Sequence, residues 1–319
     1  MNTLGLSMIL KMGCICTKEH LEINGKRYTV LERLGEGGFS CVDLVENTSN
    51  KKKYAVKRIV CHSADDEKIT MDEIRYYTKL KHPNIIKLVD FYFTNSKEQT
   101  DPHATSEAFL VLPYYKRGTL HDYLTLRSFN RNYLNEKDVL RIFLDVCDAI
   151  KYLHDFAPDP IAHRDLKTAN ICLTEQTDPI LMDLGSCAAA KVQVCGAQDA
   201  QKLQDLAAER CSMTYRAPEL FHVESYCIID QRVDIWSLGC VLYAMMYFKS
   251  PFDIVYEKGD SVNLAALSGT VSYPGETPFC EDMHELVRFC LKVDPSQRPF
   301  IDAVIEKAKE AMNKIEIVV

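Results

Sequence analysis

The hydrophobic pattern of this chain changes its period near Gly118, and that change limits the folds open to it. Before Gly118, apolar residues occur in short runs bounded by turn residues, as in "RYTVLERL", "SCVDLVEN" and "KYAVKRIV", which is the pattern of strands. After Gly118, longer segments such as "EKDVLRIFLDVCDAIKYLHD" repeat apolar residues at helical spacing. We therefore predict an α+β fold, in which a small strand-rich unit precedes a larger helical one.

Individual elements can be predicted within these two halves. A charged helix is expected from about Asp65 to Lys81, followed by two strands, "IIKLVDFYF" and "AFLVLPYY". Asn135 precedes the long helical segment and Asp138 follows three residues later, which resembles a capping box with Asp in place of Glu. Further helices are expected at "VDIWSLGCVLYAMMY" and "EDMHELVRFCLKV".

The composition excludes several classes of protein. With 47% hydrophobic and 26% charged residues in 319, the chain has the balance of an ordinary globular protein. A net charge of −7 argues against a general nucleic-acid binder, because phosphate contacts need a basic face. The 13 cysteines lie in apolar runs, and "MNTLGLSMILK" lacks the pattern of a secretory signal. We therefore expect reduced thiols in the cytosol.

Two short motifs in the strand-rich half are candidates for phosphate binding. "LGEGGFSCV" places Gly35, Gly37 and Gly38 between two predicted strands, where a glycine backbone can lie close over phosphates. "YAVK" then places Lys57 on an apolar strand, and the following helix offers Glu73 as its counter-ion. Each signal is weak alone, because hairpins often contain glycines and a strand lysine can simply reach solvent.

Three further motifs turn these weak signals into a specific one. "HRDLKTAN" brings Asp165, Lys167 and Asn170 together, "LMDLGS" carries Asp183, and "YRAPEL" follows. The five motifs have the order and spacing of the protein-kinase signature set, which rarely arises by chance. The chain therefore resembles a eukaryotic protein kinase over residues 26–311. The resemblance implies a bilobal fold with a small antiparallel-sheet N-lobe carrying one helix and a larger, mostly helical C-lobe.

The resemblance assigns a role to each motif residue. Asp165 would accept the proton of the substrate hydroxyl, and Lys167 would neutralise the γ-phosphate in the transition state. Asn170 and Asp183 would hold Mg²⁺, or Mn²⁺ in its place. ATP would be bound by residues of the glycine loop, the strands, the first helix and the hinge: Leu34, Gly35, Gly37, Gly38, Val42, Lys57, Glu73, Pro113 and Tyr115.

The resemblance also implies domain boundaries and structural residues. The expected division is an extension over 1–25, a kinase domain over 26–311 (N-lobe about 26–112, hinge 113–115, C-lobe 116–311) and a tail over 312–319. At the hinge, adenine needs the carbonyl of Pro113 and the N–H of Tyr115, so the missing proline N–H costs nothing. Glu219 and Arg298 resemble the family's structural ion pair, and Asp234 resembles the buried carboxylate beneath the catalytic loop.

Two departures from the kinase pattern leave alternatives open. The usual DFG triplet is Asp183-Leu184-Gly185, and Ser40 replaces the third glycine of the loop. Neither change removes a catalytic group, so an active kinase is favoured over a membrane-tethered pseudokinase that binds nucleotide without transferring phosphate. Lys167 is typical of serine/threonine kinases, and Ser212 occupies the place of their usual threonine; tyrosine activity is the remaining alternative.

Several longer stretches narrow the resemblance. "LGEGGFSCVDLVE", "RCSMTYRAPELF", "DIWSLGCVLYAMM" and "KGDSVNLA" are similar to the Numb-associated kinase family, and above all to its myristoylated and palmitoylated member. This implies protein substrates and a role in membrane trafficking or secretory-pathway signalling. It also implies a place on the cytoplasmic face of intracellular membranes, at the Golgi or near the nucleus.

The stretch "MGCICT" bears on that membrane association. It begins at Met12 and matches the myristoylation signal M-G-x-x-x-[ST]. We expect Met12 to be a functional start, with myristate on Gly13. One myristoyl chain binds membranes with K of only about 10⁴ M⁻¹, so palmitate on Cys14 and Cys16 would supply the second anchor. A chain translated from Met1 would be cytosolic. The alternative is a coincidental motif with an inert cysteine pair.

The segment between Cys187 and Cys211 contains no Ser, Thr or Tyr. Many kinases with an arginine before the catalytic aspartate, here Arg164, are switched on when a phosphate in this segment pairs with that arginine. "AQDAQKLQDLAAER" consists instead of good helix formers. We predict a helix from about Ala197 to Glu209 that orders the segment without phosphorylation; a polar loop is the alternative. The face packed on the large lobe would carry Ala200, Leu203, Leu206 and Ala207.

Overall fold

The computed structural model describes residues 19–37, 40–94 and 105–318. The chain divides into two compact units. The first consists of Met1–Cys61 and Val89–Tyr114, and the second of His62–Leu88 and Tyr115–Val319. The helix that follows Cys61 is thus part of the second unit.

The first unit is built on an antiparallel sheet. In chain order its strands are β1 (His20–Ile23), β2 (Lys26–Glu36), β3 (Ser40–Asn47), β4 (Lys53–Cys61), β5 (Asp90–Thr94) and β6 (Ser106–Pro113). Their order across the sheet is β1-β2-β3-β4-β6-β5. The hydrophobic pattern does not reveal β1, which has only four residues.

Side chains along β4 point alternately to the two faces of the sheet, and an apolar cluster packs on one of these faces. Val56 is buried in this cluster. Successive strand residues point to opposite faces, so Lys57 lies on the face away from that cluster. The other buried members of the cluster are Ile23, Tyr28, Val45, Phe109 and Val111.

The second unit is mostly helical. Its helices are α1 (Ala64–Lys79), α2 (Leu120–Ser128), α3 (Glu136–His154), α4 (Ala197–Arg210), α5 (Arg232–Tyr247), α6 (Asp253–Glu257), α7 (Val262–Ser268), α8 (Glu281–Cys290) and α9 (Ile301–Val318). Short antiparallel strand pairs join β7 (Ile161–Ala162) to β10 (Ala188–Ala189), β8 (Ile171–Leu173) to β9 (Pro179–Leu181), and β11 (Val192–Cys195) to β12 (Tyr226–Ile229).

Helices α3 and α5 carry much of the core of this unit. The Asn135 side chain accepts a hydrogen bond from the N–H of Asp138 at 2.8 Å and so begins α3, as predicted. Phe143 of α3 and Trp236 of α5 are fully buried. Burying a large apolar side chain contributes about 1.5–3 kcal/mol, so these two helices form a firm base for the loops attached to them.

The predicted α+β class is confirmed, whereas one predicted strand is wrong in part. The run "IIKLVDFYF" was expected to be extended throughout, but β5 begins only at Asp90. Ile85 and Ile86 are buried and form backbone bridges with Leu181 of β9 instead. Their apolar side chains therefore serve the second unit, which a local pattern cannot reveal.

Two further expectations concern the cysteines and membrane-spanning segments. The cysteines that the structure describes are all free thiols. In the same described ranges, no helix has both the length and the apolar character needed to cross a bilayer.

Candidate active site

A buried carboxylate fixes the loop that carries the "HRDLKTAN" motif. Asp234, in the first turn of α5, accepts backbone hydrogen bonds from His163 at 2.7 Å and Arg164 at 2.8 Å. His154 Nε2 lies 2.9 Å from the same carboxylate. Burial acts to raise the pKa of Asp234, but these hydrogen bonds and the neighbouring histidines hold it below its ordinary value. An ionised carboxylate thus fixes the backbone of this loop at His163 and Arg164.

Three donors hold the carboxylate of Asp165. The N–H of Ser212 donates to Oδ1 at 2.8 Å, and Asn170 Nδ2 donates to Oδ2 at 2.9 Å. Lys167 Nζ lies 2.9 Å from Oδ2 and also donates to Ser212 Oγ at 2.6 Å. These donors fix the direction of the carboxylate, so the arrangement suits a group that accepts a proton from a nearby hydroxyl.

The β8–β9 hairpin brings the two predicted metal ligands to one end. Ile171 pairs with Leu181, and the N–H of Met182 donates to the carbonyl of Asn170 at 2.9 Å. Asn170 therefore lies beside the start of the segment that carries Asp183. Asp183 itself has φ 60°, in the left-handed region, and begins the 3₁₀ turn that follows.

The donor set fits a divalent ion that arrives with a nucleotide. Asn170 uses its amide nitrogen on Asp165, so its amide oxygen is the atom that it can offer to a cation, beside the carboxylate of Asp183. Within the described parts of the chain, no group of three or more His, Cys, Asp or Glu could form an all-protein metal site. Mg²⁺ in kinase sites takes one or two protein ligands together with phosphate oxygens and water.

The side chain of Glu73, on α1, lies close to the backbone of Gly185. A Cβ atom at this position would lie 2.9 Å from Oε2 of Glu73, which is buried in α1. Contacts between real Cβ atoms and other heavy atoms essentially never fall below 3.0 Å. The predicted nucleotide-site residue Glu73 thus packs directly on the turn that follows Asp183.

The first unit contains most of the other predicted nucleotide-site residues. Lys57 is half-buried on β4 and pairs with Val42 of β3. Val42 in turn pairs with Gly35 of β2, so three predicted residues lie side by side across three strands. Lys57 and Glu73 belong to different units, and their ion pair remains a prediction.

The remaining predicted residues lie at the turn and at the end of β6. The N–H of Gly37 donates to the carbonyl of Ser40 at 2.7 Å, which closes the turn between β2 and β3. Leu34 is 43% exposed on β2. Pro113 ends β6 in the first unit. Tyr115 is half-buried and belongs to the second unit, where it begins the stretch Tyr115–Val319. Gly38 and the predicted acylation sites Gly13, Cys14 and Cys16 lie outside the described residues.

The helix predicted in the segment between Cys187 and Cys211, called the activation segment below, is present as α4. It runs from Ala197 to Arg210, one residue longer than predicted. Ala200, Leu203 and Ala207 are buried, as expected for its packed face, whereas Leu206 is 39% exposed.

Two sets of contacts complete the site, and only the first was expected. Arg298, buried to 1% exposure, forms a two-bond ion pair with Glu219 at 2.7 and 3.0 Å. Arg210 Nη1 donates to the carbonyl of Gly185 at 3.3 Å, and Ser186 Oγ donates to the carbonyl of Arg210 at 3.0 Å. Nothing in the sequence pairs these last residues, because they are far apart along the chain.

The chain matches the protein kinase domain model over residues 28–308, and it belongs to the protein kinase family. It is 42% identical to "Serine/threonine-protein kinase 16" of Rattus norvegicus over 294 residues, which cover 92% of this chain and 93% of that protein. The identity and coverage are the same for "Serine/threonine-protein kinase 16" of Homo sapiens. "Serine/threonine-protein kinase ppk13" of Schizosaccharomyces pombe is 30% identical, with 92% of this chain and 91% of that protein covered.

These similarities confirm the predicted enzyme class. The chain is a serine/threonine-protein kinase, which uses ATP and a divalent metal to phosphorylate protein substrates. Protein kinases bind ATP under a glycine-rich loop, and the metal supplies charge neutralisation at the phosphates when it is bound.

Proposed function

We propose that this kinase phosphorylates serine and threonine residues of proteins at an intracellular membrane, with Asp165 as the group that accepts the hydroxyl proton. The observation that carries the catalytic assignment is the set of three donors on the Asp165 carboxylate. They fix the carboxylate in direction. Positioning and charge neutralisation are the main tasks in phosphoryl transfer, and a carboxylate held in this way meets the first of them.

Lys167 supports both active catalysis and a serine or threonine acceptor. Its ammonium group touches Asp165 and Ser212, so a positive charge lies beside the proton acceptor. We assign to it the neutralisation of the γ-phosphate charge in the transition state. Asn170 and Asp183 would hold the metal, and Lys57 would bind the α- and β-phosphates, with Glu73 as its proposed counter-ion.

A phosphotransfer assay on the full chain tests this assignment. We expect Asp165→Asn and Lys57→Met to abolish phosphorylation, while both variants keep the thermal unfolding temperature of the wild type within a few degrees. Lys202→Ala, on the exposed side of α4, serves as the unaffected control. Activity of folded Asp165→Asn equal to wild type would remove Asp165 from the mechanism. An inactive wild type would favour the nucleotide-binding pseudokinase, and phosphotyrosine in the product would favour the tyrosine alternative.

Membrane association is the second part of the proposal. It is supported by the myristoylation signal that begins at Met12 and by the two adjacent cysteines. We place the acylated kinase in the Numb-associated family, on the cytoplasmic face of Golgi or perinuclear membranes, with a role in trafficking or secretory signalling. The intact mass of the protein expressed from its native transcript tests this directly, because it reports the start residue and the acyl groups together.

A further inference from the structure

The last turn of α4 is joined to the turn that follows Asp183 by two hydrogen bonds that run in opposite directions. Arg210 Nη1 donates to the carbonyl of Gly185 at 3.3 Å. Ser186 Oγ donates to the carbonyl of Arg210 at 3.0 Å. This carbonyl belongs to the end of a helix, where no intrahelical partner remains for it. The serine therefore supplies a bond that the helix itself cannot supply.

The same helix end leads directly to the proton acceptor. Two residues after Arg210, the N–H of Ser212 donates to Oδ1 of Asp165 at 2.8 Å. The backbone on both sides of Arg210 is held by Arg216, whose guanidinium donates to the carbonyls of Cys211 at 2.7 Å and Ala208 at 3.3 Å. A displacement at Arg210 cannot be absorbed by this short, tethered connection.

These two bonds lie in partly buried surroundings. The Arg210 side chain is only 21% exposed. Together with Leu203 of α4 and Tyr76 of α1, it lines a cavity of about 100 Å³. Hydrogen bonds in such low-dielectric surroundings are stronger than in water, and breaking one leaves a polar group without a partner.

We propose that Ser186 and Arg210 are positioning residues that couple the metal-binding segment to the proton acceptor through the last turn of α4. Ser186 lies three residues after Asp183, and Arg210 lies two residues before Ser212. The coupling rests on the proposed roles of Asp183 and Asp165. Because coupling between two sites is reciprocal, an aligned helix end favours metal binding as much as metal binding favours the aligned helix end.

The test uses Ser186→Ala and Arg210→Lys in the full chain, with Lys202→Ala as the matched control on the exposed side of the same helix. Lysine keeps the charge of Arg210 but loses the planar fork. At saturating ATP, we expect both variants to lower kcat and to raise the Mg²⁺ concentration for half-maximal activity, each by about five-fold, as for the loss of one hydrogen bond. KM for the protein substrate should not change.

A double variant separates coupling from two independent defects. If Ser186 and Arg210 act through the same link between the two segments, the double variant Ser186→Ala with Arg210→Lys should lose clearly less kcat than the product of the two single fold losses. Multiplicative effects would overturn the proposal. So would a loss of kcat that accompanies a lowered unfolding temperature without any change in the Mg²⁺ requirement. An active Asp165→Asn protein would instead overturn the proposed function, so the two failures are distinguishable.

Discussion

Two aspartates at the loop that carries the "HRDLKTAN" motif have different roles, and the groups around each of them explain why. Asp234 is wholly buried and accepts hydrogen bonds from the backbone of the loop. Asp165 is held by one backbone and two side-chain donors, one of them the ammonium of Lys167. The sequence motifs identify both aspartates. They cannot identify the donor Ser212, whose contact depends on how the activation segment returns to the loop.

Asp234 makes the stability of the fold sensitive to acid. Its pKa in the folded chain lies below the ordinary value, so its contribution is fully present above the unfolded pKa of about 4 and is lost as pH falls through the folded pKa. We expect Asp234→Asn to lower the free energy of unfolding by about 1–3 kcal/mol at pH 7, because donors of the loop lose their charged acceptor.

Urea denaturation at a series of pH values checks this. Between about pH 5 and pH 3, the free energy of unfolding should fall more steeply for the wild type than for Asp234→Asn. Parallel curves for the two proteins would show that another group governs the acid sensitivity.

Gly185 allows a second test at the scale of one residue. In Gly185→Ala, the new Cβ would lie 2.9 Å from Oε2 of Glu73, so the buried Glu73 carboxylate, α1 or the turn must shift. Overpacking of this kind costs typically about 1–3 kcal/mol, and we expect phosphotransfer to fall about ten-fold or more. Gly275→Ala is the matched control, since a Cβ there meets no atom within 4 Å. Equal activities of the two variants would contradict the need for a glycine at position 185.

At the scale of elements, α4 shows what a sequence can and cannot predict. Its helix formers predicted the helix and nearly its exact length. The contacts that hold it come from distant segments: the N–H of Gly196 donates to the carbonyl of Ser225 at 2.5 Å, and the N–H of Val223 donates to Oε1 of Gln204 at 3.2 Å. The partial exposure of Leu206 was not predicted either. Helical spacing shows which residues share a face of the helix, but not how much of that face is buried.

If α4 orders the activation segment in place of a phosphate, breaking the helix should silence the enzyme. Leu206→Pro should lower phosphotransfer sharply, since proline in a helix interior costs about 3 kcal/mol. Leu206→Ala keeps the helix and should retain most of the activity, because the side chain is already 39% exposed. Phosphatase treatment should leave the wild type active. Unchanged activity of Leu206→Pro, or loss of wild-type activity after phosphatase treatment, would show that another device orders the segment.

Arg164 has a hydrogen-bond partner within the activation segment, although its Nε is buried without one. Its side chain is 8% exposed and donates to the carbonyl of Ala189 at 3.2 Å, within the activation segment itself. Burial lowers its pKa from the ordinary value. The arginine that many kinases pair with a phosphate is thus engaged here by a backbone carbonyl.

For the whole molecule, the change of hydrophobic period predicted the fold class, and the order of five motifs predicted the family. Both the hydrophobic period and the motifs are formed by residues close together in sequence, so they can be recognised without knowledge of the tertiary structure. Two features depend on residues far apart in sequence. One is the pairing of Ile85 and Ile86 with Leu181 in the second unit, and the other is the pair of hydrogen bonds that links the turn at Ser186 to Arg210. Such pairings carry no local signature, so only the structure reveals them.

The proposed acylation sites Gly13, Cys14 and Cys16 precede the described residues. In a chain that begins at Met12, Gly13→Ala should move the kinase from the membrane fraction to the soluble fraction, because the acylation signal requires glycine. Cys14→Ser combined with Cys16→Ser should leave only the myristoyl chain, whose membrane affinity of about 10⁴ M⁻¹ gives weak and reversible binding. Cell fractionation with a salt wash distinguishes the three states, and phosphotransfer activity should be the same in all of them, since neither change touches the kinase domain. A Met12 chain that is already soluble in cells would show that acylation does not anchor this kinase.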